Sequence, residues 1–418
     1  MNRSEFVDDL VCRASAAANL VAELPTDLKN AALRLAGERL ERESERLLHE
    51  NALDLQAARK NELAEPLVER LTLNPQRIAA MAEGLRQVAA LADPVGEVTG
   101  MWNRPNGLQV GRMRIPLGVI LIIYESRPNV TADVAALCLK SGNATLLRGG
   151  SEATHSNRAI AAVLAEAIAE CGVPADAVQL VSKTDREIID LLLEREEEID
   201  LVVLRGGEGL IRRVSEKSRI PVIKHYTGVC HVYLDEFAEP KMARDIAINS
   251  KCQRVAVCNA AETLLIHASL ADTLLPDLLG ELAGLGVELR GCERTRQRFP
   301  AALPATEDDW RAEFLDMILA VRVVDSLDQA IDHIRRFGSN HTEAIVSQDI
   351  QRAREFVRRV NSSSVFVNAS TRFADGFQLG LGAEVGVSTT KLHWYGPMGL
   401  EGLTTQKFIA FGEGTILE

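Results

Sequence analysis

The sequence predicts an α/β protein built on parallel, doubly wound sheets, and three observations predict it. Val119-Ile120-Leu121-Ile122-Ile123 is a short apolar, β-branched run of the kind that fills a strand buried on both faces. From Gly118 such runs alternate with helical stretches at the pace of successive βαβ units. A second alternating series starts at Ala261. The chain has 418 residues, enough for two or three domains with sizeable cores.

Residues 1 to about 93 read as helices. Asn74 is an N-cap with Pro75 at the first helical position, and Ile78, Met81, Leu85 and Val88 recur at spacings of three and four. From Gly96 to Pro116 the pattern shifts, and Asn106-Gly107 marks a β-hairpin projecting from the body. Strands then read at Gly118–Tyr124, Ala144–Leu147, Val178–Val181 and Ile199–Leu204, with helices at Thr131–Lys140, Ser156–Cys171, Thr184–Arg195 and from Gly206 to about Lys217. Val222–Tyr233 closes this first series. The second has strands at Ala261–His267, Met317–Val324, Glu343–Ser347 and Ser364–Asn368, between helices at Ser269–Ala283, Leu327–Arg336 and Ile350–Val360. From Ala369 the tail reads as glycine-rich and irregular.

The formal net charge of −12 argues against non-specific nucleic-acid binding and against a basic membrane-surface protein. The longest apolar runs fall far short of the ~20 residues that span a bilayer, and the opening MNRSEFVDDLV is unlike a signal peptide. Seven cysteines, an odd number scattered along a long chain, read as reduced thiols in a cytoplasmic protein rather than a disulfide framework. An enzyme is the expectation.

Several loops carry chemistry. Gly206-Gly207-Glu208-Gly209 follows an apolar strand and opens a helix, where backbone N–H groups favour a phosphate; it serves equally as a tight βα turn. Leu147-Arg148-Gly149-Gly150-Ser151-Glu152 is a second strand-end glycine turn, whose Arg148 suits a ribose phosphate or simply a surface turn. Tyr124-Glu125-Ser126-Arg127-Pro128-Asn129 sits at a strand carboxyl end, where such sheets bind ligands. The polar stretch Asn249-Ser250-Lys251-Cys252-Gln253-Arg254 leads to Cys258. On spacing alone a cysteine is most often a buried small hydrophobe; the polar lead-in makes this region the candidate for a thiolate nucleophile, with Cys252 and Cys258 both open. His333, His341 and Glu343 fit no zinc spacing and read as a cap or interface set; no metal is expected.

Residues 115–153, IPLGVILIIYESRPNVTADVAALCLKSGNATLLRGGSEA, resemble the glutamate-5-semialdehyde dehydrogenase (γ-glutamyl phosphate reductase) family of the aldehyde dehydrogenase superfamily. So do QRVAVCNAAETLLIH (253–267), VDSLDQAIDHIRRFGSNHTEAI (324–345), and the tail from FADGFQLGLGAEVGVSTTKLH to GPMGLEGLTTQKFIAFGEG (373–414). The resemblance implies a Rossmann-like cofactor domain over 1–250 with the hairpin at 96–116. It further implies an α/β catalytic domain over 251–384 and an oligomerisation tail over 385–418 that joins the hairpin in a homo-oligomer. It implies NADPH-dependent reduction of L-glutamate 5-phosphate to glutamate 5-semialdehyde and phosphate, the second step from glutamate to proline. The acyl phosphate is labile, so a transient contact with glutamate kinase is a further expectation.

By the same resemblance Cys258 is the nucleophile and Asn129 an oxyanion donor. Arg148, Ser151, Glu152, Gly206, Gly207, Gly209 and Glu313 are expected at the cofactor, and Arg127, Lys251 and Arg254 at the substrate anions. Hydrolytic aldehyde dehydrogenases keep a water-activating glutamate where this chain reads Lys224-His225-Tyr226-Thr227-Gly228, and its absence fits a thioester protected from water. Two departures stand out: Trp394-Tyr395 replaces a usual Ala-Arg, and Phe337 replaces a usual tyrosine or histidine. The competing readings are a hydrolytic, NAD-dependent aldehyde dehydrogenase and a non-catalytic scaffold subunit.

Overall fold

The computed structural model describes residues 2–183 and 185–417. Met1, Glu418 and Thr184, the last expected to open a helix, lie outside the described residues. The chain divides into two units. One runs up to Lys224 and takes in Gly380–Gly386 and the chain from Met398; the other holds His225–Leu379 and Val387–Pro397. The division falls at Lys224/His225 rather than 250/251, and the tail expected to stand apart is shared between the two. The cause is local. The expected single strand Val222–Tyr233 is broken by the polar stretch from Lys224 to Gly228, leaving β7 (Val222–Ile223) in one sheet and β8 (Cys230–Leu234) in another.

The first unit opens with helices α1 (Arg3–Val21), α2 (Thr26–Arg42), α3 (Ser44–Lys60), α4 (Glu65–Leu71) and α5 (Pro75–Ala90). Asn74 caps α5 by accepting from the Arg77 N–H at 2.8 Å, and Ile78, Met81, Leu85 and Val88 are buried as their spacing requires. Strands β1 (Val98–Asn103) and β2 (Gln109–Pro116) form the expected hairpin, closed by Arg104–Leu108 with Gly107 at φ +84°. The tail was expected to be irregular, but its last segment, Thr404–Phe411, is an eight-residue strand pairing antiparallel with β2.

The parallel sheet contains β3 (Val119–Tyr124), β4 (Ala144–Gly149), β5 (Val178–Leu180), β6 (Leu201–Arg205) and β7, in the order β5-β4-β3-β6-β7. Helices α6 (Asn129–Lys140), α7 (Thr154–Glu170), α8 (Arg186–Leu192) and α9 (Glu208–Lys217) connect them. The order reverses direction beside β3, the central strand, and all six of its residues are buried. That reversal opens a crevice at the carboxyl ends of β3 and β6. Asp54 of α3 fixes the entry to α7, accepting from the backbone N–H groups of His155 and Ser156.

In the second unit, seven strands order as β11-β10-β12-β9-β8-β13-β14, all parallel: β9 (Ala261–His267), β10 (Glu288–Gly291), β11 (Leu303–Pro304), β12 (Ile318–Val324), β13 (Thr342–Val346) and β14 (Ser364–Val367) join β8. The short edge strands β10 and β11 carry too little apolar sequence to stand out. Helices α10 (Pro240–Cys252) and α11 (Leu275–Gly284) pack one core, with α12 (Glu293–Arg298) beside β10; α13 (Leu327–Phe337) and α14 (Ile350–Arg359) pack another. This is the doubly wound arrangement expected. Among the described residues, no helix is long and apolar enough to cross a membrane.

Candidate active site

The second unit gathers its chemistry at the amino ends of three neighbouring strands. β9, β8 and β13 lie side by side, with Cys230 opposite Ala261 and His231 opposite Glu343. The segments entering those strands are therefore brought together: Val255–Ala260 before β9, His225–Val229 before β8, and Ser339–His341 before β13. They bring Cys258, His225 and His341 into a cluster in which one ligand atom from each lies within 4.8 Å of the others. The two imidazole rings meet edge-on at 5.6 Å.

Each member of the cluster is held. The Val229 N–H donates to Ser339 Oγ at 2.9 Å, tying the β8 entrance to the β13 entrance. His225 Nδ1 lies 3.2 Å from the Val387 carbonyl oxygen, which can only accept, so Nδ1 carries a proton and donates it there. His341 is fully buried, with Nδ1 2.8 Å from Thr342 Oγ1 and 3.7 Å from Cys230 Sγ. The Cys258 carbonyl accepts from the Cys230 thiol at 3.1 Å.

Gly228 is required by the same packing. A Cβ there would stand 2.0 Å from the Cys258 carbonyl oxygen and 2.8 Å from its Cα. Gly228 and His225 lie in a stretch that reads as strand and as lacking an acid, and nothing local in the sequence signals their approach to Cys258 across the fold.

Three thiols compete for the nucleophile's role, and their surroundings separate them. Burial, with Glu343 nearby, pushes the Cys230 thiol well above its ordinary range, so it acts as an S–H donor. Cys252 ends α10 against the apolar core, and burial raises its thiol too. Cys258 is partly exposed beside two imidazoles.

The expected substrate cations fare differently. Lys251 is fully buried, and its Nζ sits 2.6 Å from the equally buried Glu262; its charge is committed there, which corrects its expected place at a substrate anion. The pair has another use. Burial pushes the Glu262 carboxyl up against the pull of Lys251, and its other oxygen accepts from the Leu315 N–H at 3.2 Å. Leu315 has φ +53°, so this bond helps hold a strained turn carrying the half-buried Glu313. Arg254 is exposed, as a substrate contact requires. Arg372, which was not expected, shares its field: burial and then the Arg254 charge lower its pKa, with Asp375 and the sulfur of Cys258 opposing them. Arg372 Nε donates to Gln253 Oε1 at 2.9 Å, and Asn259 Nδ2 holds the Ala374 carbonyl at 3.0 Å. The sequence signal for Arg372 was faint, an arginine in a polar loop after β14.

His333, His341 and Glu343 do not form a cap or interface set; all three are buried, and each has its own surroundings. Glu343 accepts from His231 Nδ1 and from the His231 N–H, both at 2.9 Å. His333 packs among Trp310, Phe337 and His231, with Arg322 donating to its Nδ1 at 3.0 Å. Phe337, at the position where a polar ring is usual, is buried there. Trp394 Nε1 donates to the Pro397 carbonyl and the Tyr395 hydroxyl to the Asn361 carbonyl, so both unusual residues brace the main chain of the segment before Pro397.

In the first unit, the expected cofactor residues lie around the crevice at the sheet's reversal. The Gly207 N–H at the start of α9 donates to Glu125 Oε2 at 3.0 Å, and a Cβ on Gly207 or Gly209 would meet nothing within 4 Å. A Cβ on Gly206 would reach Glu125 Oε2 at 2.6 Å. This is an open, glycine-floored helix start already holding a carboxylate, and it suits the diphosphate of a dinucleotide. Glu152 accepts from the N–H and hydroxyl of Ser126, whose φ of +44° marks strain at the end of β3. Ser151 is exposed, and an Arg148 guanidinium N–H donates to the Gly149 carbonyl at 2.6 Å. Arg127 is exposed. Asn129, in the first turn of α6, donates to Asp133 Oδ2 at 3.0 Å; burial pushes the Asp133 carboxyl up to about 6.

A sequence model described as the aldehyde dehydrogenase family matches residues 2–293. The chain belongs to the aldehyde dehydrogenase family. It is 56% identical over 416 residues to a protein of Geobacter metallireducens named gamma-glutamyl phosphate reductase, covering 100% of both. A Salinibacter ruber protein of the same name is also 56% identical, across 98% of this chain and 94% of its own. Among solved structures, gamma-glutamyl phosphate reductase from Thermotoga maritima matches with TM-score 0.96 and 43% identity, covering 99% of this chain and 100% of that one. An acetylating aldehyde dehydrogenase from Geobacillus thermoglucosidasius shares the family fold at TM-score 0.69 and 15% identity, covering 100% of this chain and 98% of its own.

Proposed function

We propose that this enzyme reduces L-glutamate 5-phosphate to glutamate 5-semialdehyde and phosphate, the second step from glutamate to proline. The observation that carries this reading is 56% identity, end to end, with relatives named gamma-glutamyl phosphate reductase. The Cys258 thiolate attacks the acyl-phosphate carbonyl, the C–O bond to phosphate breaks, and a γ-glutamyl thioester remains on Sγ. The Cys258 backbone N–H, with Asn129 as the expected second donor, stabilises the oxyanion; loss of one such donor costs about 3 kcal/mol of barrier. Arg254, with Arg372 beside it, attracts the substrate's anionic groups, and Arg127 is the further cation expected there.

NADPH supplies the hydride that the reduction needs. Gly206, Gly207 and Gly209 would accept its diphosphate, displacing the Glu125 carboxylate from the α9 start. Arg148, Ser151 and Glu152 would face the adenosine ribose, and Glu313, on the turn held by Glu262, the nicotinamide ribose. His225 and Tyr226 stand where a hydrolytic relative keeps its base, which supports an intermediate spared from water. A homo-oligomer formed through the sheet of β1, β2 and Thr404–Phe411, transient contact with the kinase that makes the acyl phosphate, and cytoplasmic residence complete the reading.

The experiment is to trap the thioester. Acyl phosphate made in situ from glutamate and ATP is offered without dinucleotide, and the peptides are weighed. A γ-glutamyl adduct confined to Cys258 is expected; an adduct on another residue, or none under conditions that support turnover, overturns the mechanism.

A further inference from the structure

We propose that His225, Cys258 and His341 form a binding site for a thiophilic divalent cation of the zinc class. One thiol and two imidazoles are the donor set such ions prefer, and three protein ligands leave the fourth tetrahedral position open. All three ligand atoms lie within 4.8 Å of one another. Tetrahedral zinc places its nitrogen and sulfur ligands about 3.3–3.6 Å apart, so side-chain rotation of roughly 1 Å closes the set.

The site is built rather than accidental in three respects. The ligands lie in the segments that enter three adjacent parallel strands, and the strand order brings those segments together. The Val387 carbonyl holds the proton of His225 on Nδ1, leaving Nε2 free to coordinate, which is the outer-shell arrangement of metal-bound histidines. Thr342 Oγ1, 2.8 Å from Nδ1, steadies the His341 ring. The neighbouring charges are mixed. Arg254 and Arg372 on the Cys258 side oppose a cation; Glu343, Glu262 and Glu313, which bear on the adjoining Cys230, favour one. The ligands come from distant stretches of chain, so no sequence spacing announces them.

Metal and acyl substrate would compete for one sulfur, so the ion acts as a reversible block on turnover. That consequence rests on Cys258 being the nucleophile; the site itself does not.

The test uses the full chain, stripped with a chelator and titrated with Zn²⁺ or Co²⁺ alone. We expect one equivalent of Zn²⁺ per chain, bound about 100-fold more weakly in each of Cys258→Ser, His225→Gln and His341→Gln. The Co²⁺ form should show a near-ultraviolet thiolate charge-transfer band that Cys258→Ser lacks. In the unmodified chain, where no variant can misfold, Zn²⁺ should shield Cys258 from iodoacetamide, as read by peptide mass. Undiminished zinc binding in a folded Cys258→Ser chain, or unshielded alkylation at saturating zinc, overturns the proposal. Shielding with turnover unimpaired sustains the site and overturns Cys258 as the nucleophile.

Discussion

Replacing Gly228 with alanine puts a methyl group where the structure has the backbone of Cys258. The new Cβ would stand 2.0 Å from the Cys258 carbonyl oxygen, 2.7 Å from the carbonyl carbon and 2.8 Å from the Cα. Non-bonded heavy atoms settle near 3.5 Å, so the two segments must part by about 1.5 Å. Every atom met is backbone, and no flexible side chain can give way. The displacement acts on Cys258, the proposed nucleophile, and on its N–H. Misplacement by about 1 Å can cost 100-fold in rate, or about 2.7 kcal/mol of barrier. We therefore expect Gly228→Ala to lower kcat about 100-fold while costing about 1–3 kcal/mol of stability through overpacking. The assay pairs steady-state turnover with urea denaturation, and dinucleotide binding by fluorescence should be little changed. Gly280→Ala is the control: this glycine is exposed within α11 with nothing within 4 Å, and alanine there should add about 0.5–1 kcal/mol. A Gly228→Ala enzyme with kcat within about threefold of the parent refutes the reasoning.

Two further outcomes follow from buried charge. Burial, with His231 and Arg322 nearby, pushes His333 down to about 2, whereas an unfolded histidine titrates near 6.5. The unfolded chain alone takes up that proton, so the stability His333 allows is complete above about pH 6.5 and falls by about 1.4 kcal/mol per unit as pH drops. His333→Gln should flatten the slope by that amount in urea titrations between pH 6.5 and 4.5, and an unchanged slope contradicts the assignment. Lys251→Met strands Glu262 without its cation and should cost about 3–5 kcal/mol, much of it regained in Lys251→Met/Glu262→Leu. A double variant no more stable than the single one contradicts the pairing.

How much of this was legible in the sequence depended on whether the signal was local. The helix at Asn74-Pro75, the hairpin at Asn106-Gly107 and the buried strand from Val119 each carry their cause within a few residues, and the fold has them where expected. The glycine loop before α9 was legible for the same reason. The failures lie where partners are distant. Val222–Tyr233 reads as one strand because its apolar ends hide the break at His225, and that break sets the division between the units. Lys251 looked like an anion contact because nothing nearby in sequence shows that Glu262 meets it inside the core. The strand Thr404–Phe411 alternates poorly because it is largely exposed, and its pairing with β2 is what defines it. The approach of His225 and His341 to Cys258 depends on the order β9-β8-β13, which the motifs do not encode.

The most direct measurement is oxidation in reverse: glutamate 5-semialdehyde with NADP⁺, followed by absorbance of the reduced cofactor, with and without phosphate, for the parent chain and Cys258→Ala. In the proposed mechanism phosphate is the nucleophile that releases the acyl group from Cys258, so we expect turnover only when both phosphate and Cys258 are present. Oxidation that proceeds without phosphate, or in Cys258→Ala, contradicts an acyl-phosphate reductase working through a Cys258 thioester.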